Sequence, residues 1–160
     1  MSVSVWRIAA EAPGYHAADL SGTGAKLSGG RWNRPGNAVV YAADSIALAA
    51  LETLVHFNSA GLPLNRYIVR IDIPEDVFAA ATNLVDPPVG WDAHPVGMAS
   101  LDSGDAWLAE NSTALLLVPS VIVVEAKVVL INPAHPDAAK ITTTAERKFV
   151  YDARTRGSHK

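Results

Sequence analysis

Apolar and polar residues alternate most regularly in RYIVRIDI, from Arg66 to Ile73, where Pro74 ends the pattern. A period of two puts the apolar side chains on one face, so this stretch predicts a half-buried strand. Val3 to Ala9 reads as a first strand and Val39 to Tyr41 as a brief one, while ALLLV (114–118) and SVIVVEAKVVLI (120–131) supply two more on either side of Pro119. A different pattern fills Ala43 to His56, where small and branched apolar residues recur at helical spacing. Asp44 or Ser45 can cap that helix, which runs to about Asn58 and is closed by Gly61 and Pro63. SGTGAKLSGG, from Ser21 to Gly30, predicts a loop able to approach a ligand closely. Residues 83–103 hold Pro87, Pro88, Pro95 and several glycines and predict a long loop, after which Ser103 caps a short helix, GDAWLAEN. The closing RTRGSHK reads as a loose tail. Together these signals predict a single α+β domain, a mixed or antiparallel β core with flanking helices.

Composition narrows the class of function. The chain has 160 residues, 49% hydrophobic and 18% charged, enough for one globular domain with its own core. Its net charge is −3, and no basic run exceeds the Arg147–Lys148 pair, so the sequence carries no phosphate-backbone footprint and predicts no direct nucleic-acid ligand. The absence of Cys excludes disulfides, thiolate metal sites and a Cys nucleophile. No apolar run reaches 18 residues, and Arg7 and Glu11 interrupt the N-terminal stretch where a signal peptide would need its apolar region. A soluble, cytoplasmic protein without membrane contact is the expectation.

Within that frame one carboxylate stands out. Glu52 is the only acid inside the helix that Asp44 opens, and its neighbours at three and four positions are Leu48, Ala49, Val55 and His56. A charge on so apolar a face is either half of a structural ion pair at the core's rim or part of a cleft. Arg31 is the cation to share that cleft. It sits in GGRWN, where Gly29 and Gly30 remove side chains that would block access and where Trp32 and Asn33 flank a planar fork of donors suited to phosphate or ribose oxygens. Tyr41 at a strand end and Ser120 after Pro119 complete the set, although each taken singly is an ordinary core or strand-edge residue. Among the four tryptophans, Trp6, Trp91 and Trp107 read as core and Trp32 as the one that touches ligand.

Other chemistries lack their residues. There is no G-x-S-x-G elbow and no G-x-x-x-x-G-K-[ST] loop, and GTG at 22–24 is not followed by the helix a dinucleotide fingerprint needs. Histidines 16, 56, 94, 135 and 159 show no metal-ligand spacing, so no metal is expected, and His56 reads as a packed or wall residue.

The stretch SGTGAKLSGGRWNRPGNAVVYAADSIALAALETLVH resembles the signature of the RES domain, named for an Arg, a Glu and a Ser that fall here on Arg31, Glu52 and Ser120. The resemblance continues in VWR (Trp6, Arg7), in GDAWL (104–108), in LLLVPSVIVVEAKVVLINPAHPDA (115–138) and in FVYDAR (149–154). It covers residues 1–154 as one RES domain and leaves 155–160 as a flexible tail, and it is thinnest in the Pro-rich stretch 87–97. It implies a fold similar to diphtheria-toxin-like ADP-ribosyltransferases and a toxin of a bacterial type II toxin–antitoxin pair. The implied activity consumes NAD as substrate by cleaving the nicotinamide–ribose bond, with hydrolysis as the first reading and transfer of ADP-ribose to a protein acceptor as the alternative. A nucleotide-binding or interaction subunit without turnover is the remaining one. The implied partner is an antitoxin with an Xre-type helix-turn-helix that binds DNA for the pair, and a homodimer within that complex is compatible with the resemblance. In such a site Glu52 would stabilise the oxocarbenium-like species and Tyr41 would stack on nicotinamide. Arg31 would hold ribose or pyrophosphate oxygens, with Ser120, Arg7 and Trp32 as further NAD contacts.

Overall fold

The first strand, β1 (Ser2–Ala10), extends its apolar run by one residue at each end. It is followed by α1 (Thr23–Ser28), β2 (Val40–Ala43), α2 (Ile46–Leu54), β3 (Arg66–Pro74), α3 (Glu75–Ala79) and β4 (Thr82–Asn83). The second half adds α4 (Met98–Glu110), β5 (Leu115–Pro119), β6 (Lys127–Ile131) and β7 (Thr142–Phe149). This computed structural model describes residues 1–57 and 61–155. The strands form one seven-stranded sheet in the order β4-β5-β6-β2-β1-β3-β7. Only β4 and β5 run parallel; the other pairings are antiparallel, so the sheet is mixed and the fold is α+β.

Period-two side chains put a core on each face of the sheet. Val5, Val69, Ile71, Ile73, Leu115, Leu117, Val129 and Ile131 face one way. Ile8, Ile68, Leu116, Val118, Val128 and Leu130 face the other, against Leu48 and Ala49 of α2, Trp107 of α4, Trp32 and Tyr151. Burial on both faces explains why β5 reads as an unbroken apolar run rather than an alternation. At the centre the sheet loosens: β1 and β2 meet only at the Trp6–Ala43 pair, while β1 and β3 pair along their whole length.

Several expectations are corrected. The glycine-rich segment is not loop throughout: residues 23–28 form α1, and the glycines that look like breakers flank it as Gly22 and Gly29. A helix therefore does follow GTG, although at six residues it is too short to show a period. Helix α2 ends at Leu54 rather than near Asn58, which lies outside the described residues together with 59–60 and the tail residues 156–160. The long loop ends at Gly97, because α4 starts at Met98 and Ser103 lies inside it instead of capping it. That helix buries Ser100, Gly104 and Trp107, a helical spacing made mostly of small residues, so its inner face carries little hydrophobic signal. SVIVVEA is not strand: Ser120 donates its N–H to Ala126 O at 3.0 Å, closing a turn before β6. The edge strand β7, TTTAERKF, is mostly exposed and polar, and so gives no alternation to read.

Candidate active site

Helix α2 is capped by Ser45, whose Oγ accepts the N–H of Leu48 at 3.1 Å. Asp44, the alternative cap, instead accepts the N–H of Lys127 at 2.9 Å and ties the helix entrance to β6. With Leu48 and Ala49 fixed in the core, Glu52 emerges one turn later, half-buried, beneath the end of β5. There Ser120, fully buried, donates its hydroxyl to Glu52 Oε1 at 2.6 Å. The same Oγ accepts N–H groups from Ile122 at 3.0 Å and Val123 at 3.2 Å. A hydroxyl has two lone pairs and one hydrogen. Both lone pairs face N–H donors, so the hydrogen is committed to the carboxylate. Ser120→Ala removes that donor and also the acceptor of the Ile122 and Val123 N–H groups; each hydrogen bond lost costs about 0.5–1.5 kcal/mol. A thermal scan of this variant should show a lowered Tm together with reduced turnover, whereas an unchanged Tm would mean that water replaces the hydroxyl.

Tyr41 lies across from Glu52 and is held on both sides of its hydroxyl. It donates to Asn33 Oδ1 at 2.6 Å and accepts the N–H of Trp32 at 3.1 Å. Burial, the largest cause, pushes the phenol well above its ordinary range, so it stays protonated. Asn33, with no exposed surface, gives its amide hydrogens to the carbonyls of Ala25 and Asn37, each at 3.0 Å, and to that of Arg34 at 3.3 Å. One buried amide thus joins α1, the Arg31 loop and Tyr41. Gly30 is needed for this closeness, since a Cβ there would lie 2.6 Å from the Tyr41 oxygen.

The loop is clamped from α4. Asp105 accepts from Arg34 N at 3.1 Å, Arg34 Nη1 at 2.8 Å and Asn37 Nδ2 at 2.8 Å. Beside it Gly104 lets the helix backbone sit directly on the Trp32 carbonyl. The GDAWL motif therefore serves the site from outside: Gly104 allows contact, Asp105 holds the loop, and Trp107 packs in the core. Trp32 itself is 3% exposed and stacks on Trp91 with ring centroids 6.1 Å apart. It is a wall of the site, not an open platform. Arg31 Nη1 donates to the carbonyls of Trp91 at 3.0 Å and Ala93 at 2.9 Å, which fastens residues 91–93 over the site.

Two cavities meet here. The first, of about 320 Å³, opens where β1 and β2 part; Arg7, Tyr15, Asp19 and residues of α1 line it. Arg7 reaches Asp19 O at 3.4 Å and the Tyr15 hydroxyl at 3.5 Å, contacts long enough to leave its guanidinium available to a ligand. The second, of about 680 Å³, is bounded by Arg31, Trp32, Ser120 and the segment from Asp92 to Val96. Both volumes fall in the usual range for small-molecule sites. Tyr41, Glu52, His56 and Val128 line both.

The structure thus brings together all six residues singled out from the sequence, with Arg7 in the first cavity, Arg31, Trp32 and Ser120 in the second, and Tyr41 and Glu52 between. It does not pair Arg31 with Glu52: among the described residues neither side chain enters a salt bridge. Asn33 and Asp105 were missed as supports. An Asn directly after GGRW and an Asp directly after a helix glycine were the signals, but only their buried partners give those residues meaning. Among the described residues no cluster of His, Asp and Glu is arranged to hold a metal ion, and no helix is long and apolar enough to cross a membrane.

The RES domain matches residues 4–152, and the chain belongs to that family. It is 57% identical over 157 residues to the Prs ADP-ribosylating toxin of Sphingobium sp. (strain YBL2), covering 96% of this chain and 97% of that protein. It is 38% identical over 152 residues to Toxin Res of Pseudomonas putida (strain KT2440), covering 94% and 97% respectively. The chain is therefore a homologue of toxins, one of them named for ADP-ribosylation. The toxin of the Mycobacterium tuberculosis MbcT–MbcA toxin–antitoxin complex shares the fold, with a TM-score of 0.66 at 19% identity over 93% of this chain and 85% of that one.

Proposed function

We propose that the chain is a toxin that cleaves NAD at the nicotinamide–ribose bond and passes the ADP-ribose to a protein. The observation that carries this reading is the position of Glu52, the one carboxylate among the described residues that lines both cavities, with Ser120 fixing one of its oxygens. As a dinucleotide, NAD can extend through both cavities, and its reacting ribose carbon belongs at their junction. There Ser120 holds Oε1, so Oε2 is left to face the ribose, where an anion favours the positive charge that builds as the bond breaks. The bond's electron pair leaves with nicotinamide and neutralises its ring. Arg7 and Arg31, in separate cavities, supply cations for phosphate and ribose oxygens. Tyr41, held by Asn33 and Trp32 N–H, offers a fixed ring edge rather than a mobile one.

Transfer to protein is favoured by the 57% identity to a Prs ADP-ribosylating toxin, which makes Prs the first acceptor to examine. Hydrolysis is the second reading, and the exposed His56 side of the junction, where water can enter, favours it. Incubating the chain with NAD labelled in its adenylate half, with and without Prs, separates the two. Label on Prs supports transfer, and label only in free ADP-ribose supports hydrolysis.

Such an enzyme acts in the cytoplasm and must be restrained by an antitoxin; a helix-turn-helix partner bringing an acidic group or its C-terminal carboxylate to Arg31 fits the donor-only fork. Arg31→Ala should therefore weaken NAD and antitoxin together, each by tenfold or more on the order of one charge-assisted contact. Arg31→Lys should not restore either, since a single ammonium does not reproduce the fork. Titration calorimetry showing undiminished affinity for both ligands would remove Arg31 from the binding role.

A further inference from the structure

Four residues stand at the junction of the two cavities, and three of them are not free to carry a proton. Val128 is apolar. Tyr41 has its proton committed to Asn33 and a phenol that burial keeps protonated. Glu52 is required as an anion beside the ribose and has one oxygen taken by Ser120. The fourth is His56, four residues beyond Glu52, just past the end of α2. Its backbone N–H donates to Thr53 O at 3.1 Å, which fixes where the side chain starts. The imidazole is exposed and has no hydrogen-bond partner among the described residues, so it faces both the junction and bulk water. The charged groups around it are Glu52 on its own side, Arg7 and Asp19 in the first cavity, and Arg31, Asp92 and His94 in the second.

The chemistry leaves a proton to be placed. When the C1′–N bond breaks, nicotinamide departs as a neutral molecule. An acceptor, water or a protein nucleophile carrying hydrogen, then forms a bond to C1′ and must lose that hydrogen. Resting on the NAD-cleaving reading above, we propose that His56 is the general base for this attack: its neutral ring nitrogen takes the acceptor's proton and passes it to solvent. Glu52 stabilises the ribose cation and His56 accepts the proton, so the two side chains divide the work of one helix end.

General-base catalysis contributes about 10²–10⁴-fold. His56→Ala should thus lower steady-state release of nicotinamide from NAD by about 10²-fold or more. NAD affinity measured by calorimetry should stay within a few-fold of the parental value, and added imidazole, which can enter the vacated space, should restore part of the lost rate. Because His56 is exposed, the variant should keep the parental circular dichroism. Turnover near the parental rate, a loss that imidazole fails to reverse, or a loss explained by weaker NAD binding would each overturn the assignment while leaving NAD cleavage intact. A parental chain that releases no nicotinamide, alone or with cell extract supplying acceptors, would instead overturn the functional reading, and the role of His56 with it.

Discussion

Replacing Glu52 by Gln should lower NAD turnover by about 10²–10³-fold, the usual cost of losing one well-placed electrostatic contact to a developing charge. Growth arrest on expression should disappear with it. The substitution is chosen because it isolates charge. Gln keeps the length and planar end of Glu, and its carbonyl oxygen can still accept the Ser120 hydroxyl. Glu52 is only half-buried and forms no salt bridge among the described residues, so neutralising it strands no partner. The variant should unfold at the parental temperature, and NAD should still bind through Arg7 and Arg31. Parental turnover by the Gln variant would make Glu52 a structural acid that steadies the Ser120 turn.

Gly104→Ala should be strongly destabilising, and its effect should reach the site from outside it. A Cβ at this position would stand 1.7 Å from the Trp32 carbonyl oxygen and 2.6 Å from its carbon. Neither atom belongs to a flexible side chain, so α4 or the Arg31 loop must move. Overpacking of a core costs about 1–3 kcal/mol, and a backbone collision lies at or beyond the upper end. Against a total stability of roughly 5–15 kcal/mol that is a large fraction. Separation of α4 from the loop also withdraws Asp105 from Arg34 and Asn37. Thermal unfolding should show a Tm lowered by several degrees or more, accompanied by weaker NAD binding. A parental Tm in this variant would contradict the close packing of α4 on Trp32.

The residues that line the candidate site were legible in the sequence while much of their support was not. Arg31, Tyr41, Glu52 and Ser120 stand out because charge and hydroxyl groups interrupt apolar or glycine-rich surroundings, and they do converge. The pairing imagined for Arg31 and Glu52 does not occur, because Arg31 is turned to the carbonyls of Trp91 and Ala93. Sequence shows charges but not the backbone carbonyls that compete for them. Strands β1 and β3 were visible through their length and alternation, and β7 was hidden because an edge strand with polar residues on both faces has no period to detect. Helix α4 was half hidden because Ser100 and Gly104 occupy the buried positions that large apolar residues would normally mark. Asn33 illustrates the limit most plainly. Its importance lies in four hydrogen bonds with partners from Ala25 to Tyr41, a pattern that exists only once the loop has folded.

NAD cleavage is tested most directly by mixing the purified chain with NAD, alone and with cell extract, and following free nicotinamide by chromatography. Nicotinamide should accumulate with the parental chain and fall to near background with Glu52→Gln. NAD that stays intact under both conditions, in a chain shown to be folded, would contradict the NAD-cleaving reading.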